Sequence, residues 1–135
     1  MDRSAARALA KSTLEALSLF KAVEKGVPGL FAGRSPVAVI TSRSMNLQPL
    51  SRALIEIESG ITVSIYVRHD SNGAGADEDQ LDSLTKASML ALHATGVFSI
   101  AESSADPAGG HLRDVDRNNV LYRIERIPLT VLEES

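Results

Sequence analysis

The stretch that most constrains this chain is residues 52–68, RALIEIESGITVSIYVR. Ala53, Ile55 and Ile57 alternate with polar residues, and Ile61, Val63, Ile65 and Val67 do the same. β-branched residues at period two make strands with one buried face. The register predicts a hairpin. A two-residue loop at Ser59-Gly60 sets Ile55 opposite Ser64 and mixes the faces. A loop over 58–60 sets Ile57 opposite Ile61 and Ile55 opposite Val63. A slip of one residue turns every side chain to the other face, so the apolar pattern selects the longer loop. Gly60 is then expected in the left-handed conformation that closes such a loop with a bulge.

A chain of 135 residues has the size of one domain, and its 44% hydrophobic content suits a packed core without metal or disulfide. Aromatics are scarce at 4% and Trp is absent, so there is no row on which nucleobases could stack. A net charge of −3 and a pI near 5.6 also speak against a nucleic-acid binder. With no Cys, a disulfide frame and a cysteine zinc site are excluded. No apolar run approaches the ~20 residues of a membrane span. The start, MDRSAARALAKS, is too polar for a secretory signal, and the whole is expected to be a cytoplasmic soluble domain.

In chain order, residues 3–25 predict a helix. Ala6, Leu9, Ala10, Thr13, Leu17 and Phe20 recur at helix spacing, flanked by Leu14 and Val23, and Gly26 and Pro28 stand where a helix stops. Arg3, Arg7 and Lys11 line one solvated side. Residues 36–41 predict a short strand, and 42–51 a loop whose Met45, Leu47 and Leu50 either fold back onto the core or meet a partner. Residues 69–76 read as a mobile loop. A second helix is expected over 77–95, with Asp77 as N-cap and Gly96 as terminator. Its inward face is Leu81, Leu84, Ala87, Ser88, Ala91 and Thr95, with Leu92 beside it. A strand over 97–102 precedes a long polar connection, 103–119, expected to be mobile in the free subunit. The last strand, 120–132, faces Tyr122 and Ile124 one way and Ile127, Leu129 and Val131 the other. That change of phase suggests a bulge near Glu125, and Pro128 suggests a sheet edge. The order α-β-β-β-α-β-β predicts an α+β domain, two helices on a largely antiparallel sheet of about five strands.

Chemistry-bearing groups are few. His69-Asp70 at a strand end is the most enzyme-like pair, but no nucleophile motif accompanies it, and neighbours in a strand point apart. Asp77, Glu78 and Asp79, or Asp114 and Asp116, offer oxygen ligands without the spacing of a calcium loop. Gly73 and Gly75 precede a helix as in phosphate loops, yet acids at the helix start repel a phosphate. His93 and His111 form no metal motif. No catalytic residue, cofactor or metal is therefore assigned.

With the elements placed, the chain resembles a tail terminator (tail completion) protein of long-tailed bacteriophages. The resemblance rests on the leading helix with its Gly26–Gly33 turn, the strand after Pro36 and the hairpin at Ser59-Gly60. It continues through the Asp-rich approach to the Leu81, Leu84 and Ala91 helix and two final strands. It implies a homo-oligomeric ring, commonly of six subunits, in the virion tail, assembled in the host cytoplasm. The ring caps the tail tube, halts its polymerisation and docks the neck or head-completion protein, while genomic DNA passes through without specific binding. Membranes play no part. Asp77, Glu78 and Asp79 are then candidates for the channel lining, and Met45, Leu47, Asp114, Asp116, Leu129, Val131 and Leu132 for subunit contacts. Two alternatives stay open: another neck or tube protein of related fold, or a small-molecule-binding or catalytic domain using His69 and Asp70.

Overall fold

The computed structural model describes residues 1–25, 31, 34–69, 75–105, 112–116 and 120–134, with the side chains of 112–116, 120 and 134 outside that set. Its elements are α1 (Arg3–Ala16), β1 (Ala22–Lys25), β2 (Val37–Pro49), β3 (Ile55–Arg68), α2 (Ala76–Ala94), β4 (Ser99–Ile100), β5 (Ser104–Ala105), β6 (Leu112–Asp116) and β7 (Val120–Glu134). They form one sheet in the order β1-β2-β3-β7-β4, with β5 and β6 also paired to β7. Every pairing is antiparallel except β1 with β2. The α+β class holds, with seven strands among the described residues in place of about five.

The expected hairpin at 58–60 does not form. Residues 55–68 are a single strand of 14 residues, paired along its length with β2 on one side and β7 on the other. The odd positions from Ile55 to Val67 keep one phase straight through Ser59 and Gly60, and a continuous strand satisfies that phase without a turn. Gly60 is needed for a different reason. A Cβ there would lie 2.4 Å from Ser44 Oγ and 2.6 Å from Arg43 Nη2, so the glycine admits a close approach rather than a left-handed turn. The actual hairpin joins β2 to β3 around 50–54. There the Leu50 and Ser51 amides donate to the Leu54 carbonyl at 2.9 and 3.2 Å, and Ser51 Oγ accepts from the Ala53 and Leu54 amides.

Helix α1 begins at an Asp2 cap, whose carboxylate accepts from the Ala5 amide at 2.7 Å. It ends at Ala16, well before the expected Gly26, because Ser18 turns left-handed (φ 56°) and Ala22–Lys25 join the sheet as β1. Parallel neighbours need a crossover. The one between β1 and β2 brings Phe31 to the face opposite the helices, where it meets Tyr66 and Tyr122 edge-on at 4.9 and 5.4 Å.

Both faces are therefore covered, by different means. Ala6, Ala10 and Leu14 of α1 and Leu81, Leu84 and Leu92 of α2 pack on Ile40, Ile61, Val63, Ile65, Ile127 and Leu129. On the reverse, Phe31 gathers Val37, Val39, Tyr66, Tyr122 and Ile124. The phase change in β7 is explained by this and not by a bulge, since its register with β3 runs unbroken from Glu134 to Tyr122. One part of the strand fills the cluster under Phe31 and the next fills the helix side. Nor is β7 an edge. Pro128 falls between the residues paired with β4 (Leu129 and Thr130) and those paired with β5 (Glu125 and Arg126), where its missing N–H breaks no ladder bond on that side.

The strand expected over 97–102 shrinks to Ser99–Ile100. The connection expected to be unstructured carries β5 and β6, which fold back along β7. Its residues 106–111 and 117–119 lie outside the described set, as do 70–74 of the other loop expected to be mobile.

Candidate functional site

Strands β2, β3 and β7 run on past the helices as a three-stranded arm of residues 41–49, 55–60 and 130–134. Directly paired residues share a face, which sorts the side chains. Met45 pairs with Ser59 and Val131, Leu47 with Ile57 and Glu133, and Pro49 with Ile55. This face continues the one that carries Ile61, Val63 and Ile65 under the helices. Asn46, Gln48, Glu56, Glu58 and Leu132 occupy the reverse. Helical cover stops near the base, where Ser59 and Val131 are still buried. Beyond it Met45 and Leu47 are 55% and 57% exposed, Ile55 is 36% exposed, and Leu50 and Leu54 stand bare at the tip.

The base is held firmly. Between Ser42 and Ser44 the register with β3 shifts by one residue, leaving Arg43 as the extra residue of a bulge. Its guanidinium crosses Gly60 and donates to the Leu129 carbonyl of β7 at 3.2 Å, tying all three strands. Arg3 of α1 donates to the Ser44 carbonyl at 3.4 Å. The outer edge of β2 is open, because β1 pairs only with Val37 to Ile40 and no described residue continues the ladder past them. Open edges are templates for further strands.

A second surface lies on the flank of α2. Asp82, Thr85, Lys86, Met89 and Leu90, with Glu125 of β7, line a hollow of about 350 Å³. Met89, Leu90, His93 and Ile100 line an adjoining one of about 230 Å³. Leu90 is 61% exposed, and the Thr85 hydroxyl is buried with no hydrogen-bond partner. Sequence reasoning passed over this groove. Its one signal was Leu90, an apolar residue out of phase with the inward face of the helix.

The candidate residues are dispersed. Met45, Leu47 and Leu132 are exposed on the arm, but Leu132 faces away from the other two. Leu129 and Val131 are core residues, 0% and 2% exposed, because β7 is an inner strand and their side chains turn toward the helices. Asp114 and Asp116 lie in β6, with their side chains outside the described set.

Asp77 is neither the N-cap nor a channel lining. Gly75 (φ 87°) occupies the cap position, and Asp77 sits in the first turn, 4% exposed, facing the sheet. There the Arg123 Nε–H donates to its Oδ2, and His69 Nδ1 lies 3.0 Å from the same oxygen. Burial pushes the Asp77 carboxyl up, but the hydrogen bonds from His69 and Arg123, with the arginine charge, outweigh it and hold the group below its ordinary value. The cluster clamps the start of α2 to the ends of β3 and β7. His69 is thereby engaged with Asp77, while Asp70 lies outside the described residues. Glu78 and Asp79 are exposed beside the clamp. His93 stands on the groove rim, and His111 is outside the described residues.

Compared with known proteins, the chain matches no family model, and no curated sequence is significantly similar to it.

Proposed function

We propose that this protein is a structural subunit that associates head to tail into a ring, and that the ring terminates the tail tube of a long-tailed phage. The observation that carries the assembly reading is the arm. Its apolar face is the core face of the sheet, extended beyond the helices and left bare at Met45, Leu47, Pro49 and Ile55, with Ile57 half-buried beside them. With the tip leucines these side chains present on the order of 500 Å² of apolar surface, near the upper end of what a monomer leaves uncovered. A firmly anchored arm with an apolar side is a device for packing against another molecule.

The tail-terminator role adds the resemblance in element order, and three features support it. The β2 edge offers a second mode of contact through its free backbone groups. The net charge of −3 and the exposed Glu78 and Asp79 suit a channel that lets DNA phosphates pass without sticking. His69 of the alternative catalytic pair is tied to the same carboxylate that holds Arg123, which suits an anchor between the start of α2 and the sheet.

Sedimentation of the purified chain, alone and with tail tubes, tests the proposal beside tail lengths measured by electron microscopy. The wild type is expected to form rings and to cap tubes at uniform length. Met45→Asp and Leu47→Asp are expected to remain folded monomers and to leave tubes of uncontrolled length. A wild-type chain that stays monomeric beside tubes, without changing their length, ends the proposal.

A further inference from the structure

Resting on that reading, we infer that the receptor for the arm is the α2 groove of the next copy of the same chain. A head-to-tail contact needs two different patches on one molecule. The described surface offers such a pair: a projecting apolar arm on the β2–β3 side, and an apolar groove between α2 and β4.

Their dimensions agree. From Asp82 to His93 the groove follows a helix rising ~1.5 Å per residue, or ~16 Å. The bare stretch of β2 from Met45 to Pro49 spans ~14 Å at ~3.4 Å per residue. Charge sets the direction. Along the arm, Arg52 stands at the tip, while Glu133, on the apolar face beside Leu47 and Ile57, lies nearer the base. Along the groove, Asp82 and Glu125 mark one end, with Lys86 toward the other. An arm laid with its tip at Asp82 sets each charge near its opposite. The reversed arm sets Arg52 beyond Lys86 and Glu133 near Asp82.

Packing one arm face on another would leave Leu90 and the groove beside it bare.

The absence of native cysteine allows a direct test. Leu47→Cys and Leu90→Cys each replace an exposed side chain, so both variants are expected to keep the wild-type circular dichroism and melting temperature. Under mild oxidation a mixture of the two should give a covalent dimer joining one of each, and a chain carrying both should give a ladder beyond the dimer. Lys86→Glu should weaken association roughly tenfold, and Glu133→Lys on the same chain should restore it. Disulfides between two Leu47→Cys chains, in protein that sediments as an assembly, would overturn the groove while keeping the arm as an interface. Assemblies with no 47–90 cross-link would do the same. Monomers throughout would overturn both the groove and the assembly reading.

Discussion

The two halves of β3 carry the same pattern and meet different fates. Ile61, Val63, Ile65 and Val67 are at most 1% exposed, whereas Ile55 is 36% exposed and Ile57 is half-buried. All six lie on one face of one strand, and those from Ile57 to Val67 pair with β7 in one unbroken register. Only the cover differs, since α1 and α2 extend over the first group and stop short of the second. Alternation thus reports which side chains share a face and not what packs on them. An apolar half that its own chain leaves bare is the basis of the proposed subunit contact.

The largest expected effect lies in the covered half. Ile65→Ala should cost ~2–5 kcal/mol, from lost transfer energy and the cavity left behind. Ile55→Ala, the matching truncation in the bare half, should cost the free subunit under ~1 kcal/mol, because its side chain is already partly in water. Denaturant unfolding of the two variants compares them directly. Equal losses would mean that the arm is covered in the monomer.

Asp77→Asn comes next, at ~1–3 kcal/mol, by leaving the largely buried Arg123 without its carboxylate. The acid limb of stability should change too. Asp77 has its folded-state pKa lowered, so its contribution is fully present above the ordinary carboxylate value of ~3.9 and disappears as pH falls through the lowered value. Wild type should therefore lose stability relative to Asp77→Asn as the medium is acidified below about pH 4, and the two curves should run parallel at neutral pH. Curves parallel throughout would show that the carboxylate is not held this way.

Gly60 separates the strand from the turn at the junction of the two halves. Gly60→Ala should cost ~1–3 kcal/mol through the crowding of Arg43 and Ser44, and Gly60→Asn should cost at least as much. A left-handed turn would instead tolerate Asn better than Ala, so stability measured in that order would restore the hairpin at 58–60. The smallest effect on folding is expected from Leu47→Asp, within ~0.5 kcal/mol by thermal melting, while its sedimentation changes from assembly to monomer.

Much of the fold was legible where the signal is local. The second helix, with its Leu81, Leu84, Ser88 and Leu92 face and Gly96 (φ 72°) at its end, follows from propensity, periodicity and a terminating glycine. Met45 and Leu47 were legible as residues outside the periodic core, because apolar residues among polar ones are conspicuous, and the structure leaves both exposed. Leu129 and Val131 were misplaced because Pro128 suggested an edge, and no local rule says that β4 and β5 leave a gap there.

The residues of 55–68 dictate a strand and the partition of its side chains between two faces, because the pleat follows from covalent geometry and β-branched packing. Whether Gly60 turns or passes straight depends on Arg43, brought beside it by a pairing that no short window contains. Burial depends likewise on where α1 and α2 end over the sheet. Those are long-range choices, set by the total apolar surface that the folded chain can cover at once, and they leave one end of an otherwise covered face open for a neighbour.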